Sequence, residues 1–266
     1  MLPQPPEINT AVTKSSASLP MIWFDLDDTL FDHSHSVGLG LARVGIEYPA
    51  FTRHEIPQLV RLYNDALNEV YPGYLTGRFD FVEMRRLKLS RFLSLADIAT
   101  SEAPDTAVFH RIYDEGYHTN RRATLGSAQA IDRLQRQGFE IAVLTNGVQS
   151  VQEEKLRHIG FDFLIPNLLS SERAGVPKPA LAIFRWALEQ TNRAPENVIM
   201  IGDNPLNDVH GALNAGIRAL YYCPGSRESL LTTPAGAAPV IAAWDQIPDC
   251  LTIPDADSLC TCASQK

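Results

Sequence analysis

The stretch that decides the fold is MIWFDLDDTL, residues 21–30, in which four apolar residues lead directly into a cluster of aspartates. An apolar run of this length is typical of a strand that is buried on both faces of a parallel sheet. Two carboxylates held about 4 Å apart repel each other by roughly 4 kcal/mol at an effective dielectric constant near 20. The cluster of Asp25, Asp27 and Asp28 therefore indicates that positive charge is gathered at the end of this strand.

Apolar runs of the same kind recur along the chain, and they predict four further strands at residues 139–147, 161–170, 197–204 and 217–223. The run at 161–170 is the weakest of them. Amphipathic helical patterns lie between the runs, at residues 127–138, 179–190 and 206–216. Ser127 is the expected N-cap of the first helix, and Gly138 is its expected end. Strands that alternate with helices predict an α/β fold with a Rossmann-like parallel sheet at its core.

Residues 34–119 break this alternation, because their amphipathic patterns are helical and contain no convincing buried strand. We interpret this segment as an all-helical cap domain inserted after the first strand. The α/β core then consists of residues 21–33 and 120–251. Hinges are predicted at residues 32–36 and 118–122, where they would let the cap close over a substrate.

Composition narrows the classes of function. The formal net charge of −8 argues against a groove for nucleic acid polymers, which needs a basic surface. No apolar run approaches the roughly 20 residues that span a bilayer, and residues 1–20 lack the apolar core of a signal peptide. We expect a cytoplasmic protein with free thiols, no membrane partner, and loose tails at residues 1–20 and 252–266. Cys260 and Cys262 have no second pair at the spacing of a zinc site.

Polar side chains follow the predicted strands at the sheet edge where open α/β sheets bind ligands. Asp25 and Asp27 are two residues apart in extended chain, so their side chains start on the same side, and Asp203 approaches from a neighbouring strand. Three carboxylates at one edge need a cation, and hard oxygen ligands suit Mg²⁺. Lys178 lies between two prolines and adds a fixed positive charge. The Thr145 hydroxyl and the backbone N–H groups of the next helix can hold phosphate oxygens.

These residue types together predict a phosphoryl-transfer site with a carboxylate nucleophile. The motifs DLDDTL, LTNG, GVPKP and GDNPLND, in this order and spacing, resemble the four motifs of the haloacid dehalogenase-like (HAD) superfamily. The resemblance covers residues 21–250. The helical insertion after the first motif is similar to the C1 cap of the branch that has a helical cap.

The resemblance implies that Asp25 is the nucleophile that takes up the phosphoryl group. Asp27 would protonate the leaving group and then activate water. A proton donor two residues after the nucleophile is what a phosphatase needs for a departing alkoxide. Superfamily members that displace halide lack this acid, so we expect a phosphatase and not a dehalogenase. Asp28 is expected to be solvated or to form a local turn.

The resemblance also implies how phosphate and metal are held. Thr145 would bind phosphate, helped by the backbone of Asn146, and Lys178 would pair with the phosphate and with the nucleophile. The implied Mg²⁺ ligands are Asp25, the backbone carbonyl of Asp27, and Asp203. Asp208 would lie behind these ligands and orient Lys178 or a metal-bound water. Its other interpretation is an acid in the first turn of a helix, favoured by the helix dipole.

The leading hypothesis is a Mg²⁺-dependent phosphatase that hydrolyses a small phosphomonoester through an aspartyl-phosphate. LTNG, GVPKP and IFRWALEQ are similar to sequences of pyrimidine 5′-nucleotidases and N-acylneuraminate 9-phosphatases. This similarity favours a nucleoside monophosphate or a sugar phosphate as the partner metabolite. Two alternatives stay open, a phosphomutase acting on a sugar phosphate and a non-catalytic module that binds a phosphorylated metabolite. The expected assembly is a monomer or a homodimer.

The remaining polar residues near the predicted cap have less specific interpretations. His33 and His35 are expected near the entrance of the site, facing solvent or the edge of a substrate. Tyr74 and Arg78 lie in a predicted turn between cap helices, where a structural role is favoured over contact with a substrate. The segment MRRLKLSR, residues 84–91, is expected to be a solvated helix face.

Overall fold

A computed structural model describes residues 19–247 and residue 251. Seven strands form the sheet of this part of the chain: β1 (Met21–Phe24), β2 (Ile141–Thr145), β3 (Leu168–Ser170), β4 (Val198–Gly202), β5 (Arg218–Tyr222), β6 (Leu230–Thr233) and β7 (Gly236–Ile241). Their order in the sheet is β3-β2-β1-β4-β5-β7-β6. All neighbouring strands are parallel except β6 and β7, which are antiparallel. The predicted α/β fold with a parallel sheet is confirmed.

Helices occupy two places in the chain. Four of them lie in the segment that follows β1, within residues 33–117: α1 (His33–Glu47), α2 (Ile56–Leu75), α3 (Phe81–Leu95) and α4 (Thr106–Tyr117). The others alternate with the strands: α5 (Ser127–Arg136), α6 (Gln149–His158), α7 (Ser171–Ala174), α8 (Leu181–Thr191) and α9 (Gly211–Asn214). One turn of π-helix at Pro205–His210 leads into α9.

Strand β1 lies at the centre of the sheet, between β2 and β4. Ile22 and Phe24 pack into the apolar cluster on one face of the sheet, and Met21 and Trp23 pack into the cluster on the other face. Because both faces are covered, every position of the strand is apolar and no alternation is visible in the sequence. The aspartates that follow β1 therefore emerge at the middle of the sheet edge.

The helices α1–α4 pack around an apolar core of their own, rich in aromatic rings. The ring of Tyr63 lies 5.1 Å from that of Phe92, in an edge-to-face arrangement. Helices α1 and α4 approach each other closely at Gly116. A Cβ atom there would lie 2.4 Å from the carbonyl oxygen of Leu39, so only glycine permits this packing.

Two chain segments connect these helices to the sheet, and they run side by side. The N–H group of Asp32 donates to the carbonyl of Arg122 at 3.0 Å, and the two side chains form an ion pair at 2.8 Å. Both residues lie in the segments predicted to be hinges. The backbone hydrogen bond and the ion pair between Asp32 and Arg122 tie the two connections to each other. The cap boundaries and the hinge motion stay predictions.

Three details of the fold differ from expectation. Only Leu168–Ser170 of the predicted strand at 161–170 is extended, because Asp162–Asn167 forms a 3₁₀ turn. The hairpin of β6 and β7 was not predicted. Its strands are short and partly exposed, so they lack a continuous apolar run. The predicted N-cap Ser127 is instead the first residue of α5, after Gly126, and its hydroxyl donates to the carbonyl of Thr124.

The membrane, cysteine and tail predictions concern the following parts of the chain. Within residues 19–247 and 251, no helix is long and apolar enough to cross a bilayer. Cys223 is a free thiol. Cys260 and Cys262, and most of both predicted tails, lie outside the described residues. The cytoplasmic location and the monomeric or dimeric state stay predictions.

Candidate active site

The carboxyl ends of the central strands open into a cavity of about 590 Å³. Its walls include Asp25 and Asp27 after β1, Thr145 at the end of β2, Asp203 after β4, and Lys178 before α8. The fold therefore brings the residues that were predicted from four separate motifs to one place. Parallel strands explain this convergence, because their carboxyl ends meet at a single edge.

Lys178 holds two of the aspartates together. Its ammonium nitrogen lies 2.6 Å from Oδ1 of Asp25, 2.6 Å from Oδ1 of Asp208, and 2.7 Å from the carbonyl oxygen of Leu144. All three donors of the ammonium group are used in this way. Asp208 reaches the site across Gly202, where a Cβ atom would lie 2.3 Å from its carboxylate.

The protonation of this cluster reflects its burial. Burial is the main cause that raises the pKa of Asp25 to about 7. The charge of Lys178 lowers this pKa, but the negative charges of Asp208 and Asp27 raise it further. Burial also raises the pKa of Asp203 well above its usual value, with further contributions from Asp25 and Asp208. Burial by itself lowers the pKa of Lys178, but the two aspartates that it contacts raise it above the ordinary value. One lysine thus does not neutralise three carboxylates.

The carboxylates have a geometry that suits a hard divalent cation. One oxygen from each of Asp25, Asp203 and Asp208 lies within 4.8 Å of the others. Asp208 has both oxygens occupied, by Lys178 and by the N–H group of Asn204. Asp203 accepts a hydrogen bond from the hydroxyl of Thr29 through Oδ1 only. Among the described residues, no hydrogen bond reaches Oδ2 of Asp25 or of Asp203, so these atoms fit Mg²⁺.

The carboxylate of Asp27 is held by a different set of side chains. Lys155 donates to its two oxygens at 2.7 and 2.8 Å, and Gln152 donates to Oδ2 at 3.2 Å. His33 is also close, with Nδ1 3.6 Å from Oδ1 of Asp27. Burial alone would raise the pKa of Asp27, but the charges of Lys155 and His33 and the hydrogen bonds from Lys155 and Gln152 lower it to about 2.

Sequence reasoning missed Lys155 and Gln152, although the chain contains a signal for them. Both lie on α6, three residues apart, and both are buried beside Leu156. A buried lysine and glutamine on the apolar face of an amphipathic helix need partners, and here the partner is Asp27. Gln152 also donates to the hydroxyl oxygen of Thr145 at 3.0 Å. The phosphate-binding role of Thr145 stays a prediction.

Asn146 has a clear structural task. Its amide group donates to the carbonyl of Lys178 at 3.0 Å and accepts from the N–H group of the same residue at 2.8 Å. These reciprocal bonds fix the backbone at Lys178. The Asn146 side chain is therefore engaged with protein, and the phosphate contact predicted for its backbone stays a prediction.

The remaining predicted residues lie as follows. Asp28 has a φ of +58° and its carboxylate accepts from the N–H and hydroxyl groups of Ser34, so it makes a local turn. The hydroxyl of Tyr74 donates to Glu172 in the core. Arg78 is exposed.

The prediction that residues 84–91 form a solvated face is wrong in part. Met84 and Leu89 are buried. The side chain of Lys88 lines a second cavity, where its ammonium nitrogen lies 3.4 Å from the centre of the Tyr63 ring. Four of the eight residues in this segment are Lys or Arg, which suggested an exposed face. In the four-helix cap, however, one side of α3 faces inward.

Comparison with known proteins places this site in a family. A family model described as haloacid dehalogenase-like hydrolase matches residues 20–216, and the chain belongs to this family. The resemblance inferred from the four motifs is thereby confirmed. Glyceraldehyde 3-phosphate phosphatase of Pyrococcus furiosus is 29% identical over 218 residues, which cover 80% of this chain and 84% of that protein. Pyrimidine 5′-nucleotidase YjjG of Escherichia coli is 25% identical over 225 residues, covering 82% and 90%.

Solved structures share the fold. The putative HAD-hydrolase YfnB of Bacillus subtilis, bound to magnesium, has a TM-score of 0.65 and 21% identity, and covers 89% of this chain and 100% of that one. A dehalogenase has a TM-score of 0.69 and 16% identity, with coverage of 89% and 99%. At these identities the likeness concerns the fold alone. The choice between phosphatase and dehalogenase chemistry therefore depends on the residues of the site.

Proposed function

We propose that this chain is a Mg²⁺-dependent phosphatase that hydrolyses a small phosphomonoester through an aspartyl-phosphate on Asp25. The observation that carries the proposal is the buried contact of 2.6 Å between Lys178 and Asp25 in a cavity that also exposes Asp203. A fixed cation beside a buried carboxylate suits an anionic substrate and a carboxylate nucleophile. Bound at free oxygens of Asp25 and Asp203, and at the predicted carbonyl ligand of Asp27, Mg²⁺ would neutralise phosphate charge.

The first half of the reaction transfers the phosphoryl group to the protein. An oxygen of Asp25 attacks phosphorus, the bond from phosphorus to the leaving oxygen breaks, and Asp27 gives its proton to that oxygen. Lys178 keeps the nucleophile oriented and offsets charge on the phosphoryl oxygens. The Thr145 hydroxyl and the backbone N–H of Asn146 hold these oxygens in place.

The second half restores the protein. Asp27, now a carboxylate, takes a proton from water as the water oxygen attacks phosphorus. The bond between phosphorus and Asp25 breaks, and inorganic phosphate and the free carboxylate are released. The described conformation, with Asp27 held as a carboxylate by Lys155, suits this half of the reaction. For the first half Asp27 must gain a proton, which an anionic phosphoryl group nearby favours by raising its pKa.

The substrate class follows from the same site and its relatives. A cavity of about 590 Å³ is within the usual size of small-molecule sites. Relatives named for a triose phosphate and for pyrimidine nucleotides support a sugar phosphate or a nucleoside monophosphate as substrate. Because Asp27 supplies an acid that a departing halide does not need, phosphate ester hydrolysis is preferred over dehalogenation.

The test is phosphate release by the purified protein from p-nitrophenyl phosphate, sugar phosphates and nucleoside monophosphates, with Mg²⁺ or with EDTA. We expect release that requires Mg²⁺ and that falls by about 10⁴-fold or more in the Asp25→Asn variant, because the nucleophile is lost while side-chain shape is kept. Asp162→Asn, at a surface turn away from the cavity, is the matched control and should retain full activity.

Other outcomes would distinguish the alternatives. Isomerisation of a sugar phosphate without net phosphate release would identify a phosphomutase. Binding of phosphorylated metabolites by a folded protein without turnover of any of them would identify a binding module. Turnover in Asp25→Asn close to that of the unmodified protein would contradict the assigned nucleophile.

A further inference from the structure

A second cavity, of about 330 Å³, opens between the cap helices and the core. It adjoins the catalytic cavity, because Asp27, His33 and Tyr71 line both. The proposed proton donor thus lies on the border between the two spaces. A leaving oxygen has to be within hydrogen-bond reach of its proton donor. With a phosphoryl group beside Asp25, the rest of a leaving group that is protonated by Asp27 would reach the second cavity.

The charges of this second cavity are mostly paired. Arg85 bonds to Asp114 at 3.0 Å, Arg121 bonds to Glu154 at 2.9 Å, and Lys155 bonds to Asp27. In each of these pairs the positive and negative charges cancel, so the pair offers no net charge to a ligand. The cavity also contains apolar surface from Leu67, Phe81, Met84 and Val151.

Lys88 is different from the other cations of the cavity. Among the residues that the structure describes, no carboxylate and no hydrogen-bond acceptor contacts its ammonium group, which lies above the ring of Tyr63. Burial and the like charges of Lys155 and Arg85 lower its pKa well below the ordinary value. An unpaired ammonium group at such a place is costly unless an anion joins it.

We propose that the second cavity binds a leaving group that carries its own anionic group, a carboxylate or a second phosphate, through Lys88. This inference rests on the proposed phosphatase function and narrows its substrate class. The substrate then has two anionic ends, of which one is cleaved at Asp25 and the other pairs with Lys88. The apolar walls contact the carbon skeleton that separates them.

Two pairs of substrates isolate the second charge. In the first pair, 3-phosphoglycerate has a carboxylate where glyceraldehyde 3-phosphate has an aldehyde. In the second pair, ribulose 1,5-bisphosphate has a second phosphate that ribulose 5-phosphate lacks. We expect kcat/KM to be about 10- to 100-fold higher for the charged member of one pair, as the strength of a charge-assisted hydrogen bond implies. The pair that shows the preference identifies the anion as carboxylate or phosphate.

The matched variants are Lys88→Met and Arg86→Met. Lys88→Met keeps the length and apolar stem of the side chain and removes a buried charge, so we expect it to fold. It should abolish the preference for the charged substrate. Arg86 lies on the same helix but is exposed and pairs with Glu83, so its variant should keep the preference. Equal kcat/KM within both pairs, or a preference that survives in Lys88→Met, would overturn the inference.

A binding measurement separates this inference from the function on which it rests. Calorimetric titration of the Asp25→Asn protein in Mg²⁺ with the four compounds needs no turnover. We expect the charged member of one pair to bind about 10- to 100-fold more tightly, and the additional Lys88→Met substitution to remove that difference. Absence of phosphate release from p-nitrophenyl phosphate and from all four of these compounds by the unmodified protein would refute the phosphatase. Equal dissociation constants within both pairs would refute the role of Lys88 alone.

Discussion

The ammonium nitrogen of Lys155 lies 2.7 and 2.8 Å from the two carboxylate oxygens of Asp27. The two residues are 128 positions apart in the chain, and the contact forms because α6 begins just beyond the end of β2. Lys155 is 5% exposed, so solvent screens the pair weakly on its side. The protonation state of the proposed acid and base is therefore set by a residue outside the four motifs.

Replacing Lys155 by methionine should raise the pKa of Asp27. The lysine charge and its hydrogen bonds are main causes of the present value of about 2, and burial, which acts in the opposite direction, would remain. We expect the limb of the pH–rate profile that depends on Asp27 to move to higher pH. The measurement is kcat/KM for one alkyl phosphate across the pH range in which the protein stays folded.

Two variants control this experiment. Lys155→Arg keeps a positive charge and should leave the limb near its original position, whereas Arg157→Met removes an exposed cation of the same helix that pairs with Glu153. Arg157→Met should not move the limb, because exposed pairs have weak effects. If Lys155→Met and Arg157→Met gave identical profiles, Lys155 would not control Asp27.

The sequence predicted the central sheet and the meeting of Asp25, Asp203 and Lys178, because a strand buried on both faces is apolar throughout and because parallel strands end at one edge. These features depend on local pattern and on topology. The contact of Lys155 with Asp27 and the inward position of Lys88 depend on how α6 and α3 are rotated against other elements. That rotation is decided by packing between distant segments, which a short window of sequence does not contain.

The hairpin of β6 and β7 shows a second limit. Leu230–Thr233 exposes every residue at least in part, and it pairs with its neighbour at the edge of the sheet. Edge strands need only backbone pairing and a modest apolar face, so their composition resembles that of loops. The same holds for Leu168–Ser170 at the opposite edge, where the strand is only three residues long.

Gly116→Ala should destabilise the cap. The new Cβ atom would lie 2.4 Å from the carbonyl oxygen of Leu39, and backbone on both helices would have to move. Overpacking of this kind costs about 1–3 kcal/mol, of which the better helix propensity of alanine recovers at most about 1 kcal/mol. We expect a net loss of about 1–2 kcal/mol in the free energy of unfolding, measured by urea denaturation.

Gly38→Ala is the matched control for this substitution, since it also lies within a cap helix. Its Cβ atom would lie 3.1 Å from a methyl group of Ile56, a side chain that can shift. The gain in helix propensity should then leave stability unchanged or raised by up to about 1 kcal/mol. Equal effects of the two substitutions on the free energy of unfolding would contradict the prediction that the close contact of α1 with α4 at Gly116 excludes a larger side chain.

Two tyrosines of α2 bond to α7 of the core: the hydroxyls of Tyr71 and Ser171 share a hydrogen bond at 3.0 Å, and the hydroxyl of Tyr74 donates to Glu172. The double variant Tyr71→Phe, Tyr74→Phe removes both and keeps the rings. Each bond contributes about 1 kcal/mol net, and the loss of both, about 2 kcal/mol, should lower the population of the closed arrangement and raise KM by up to about 30-fold. Small-angle scattering with Mg²⁺ and a phosphate analogue should show a larger radius of gyration than for the unmodified protein.

A cap tyrosine that packs within the helical core provides the control for closure. Tyr48→Phe should leave both KM and the scattering profile unchanged, because Tyr48 packs against the cap core and not against α7. Scattering profiles of the unmodified protein that are identical with and without the ligands would count against closure at the predicted hinges.

The acidic cluster should make stability depend on Mg²⁺ and pH together. Without metal, burial first, and then the charges of Asp208 and Asp27, raises the pKa of Asp25 to about 7, and the pKa of Asp203 is raised as well. An aspartate whose pKa is higher in the folded than in the unfolded state stabilises the fold when protonated. That contribution is present below about pH 4 and is lost as the pH rises to about 7.

Metal binding reverses this trend, because the ligands bind as carboxylates. We therefore expect Mg²⁺ to raise the midpoint of thermal unfolding more near pH 8 than near pH 5, relative to EDTA. Asp203→Asn removes one proposed ligand and one buried charge, so it should be more stable than the unmodified protein in EDTA near pH 8 and should respond less to Mg²⁺. A shift with Mg²⁺ that is the same at both pH values, or that is undiminished in Asp203→Asn, would contradict a metal site at this cluster.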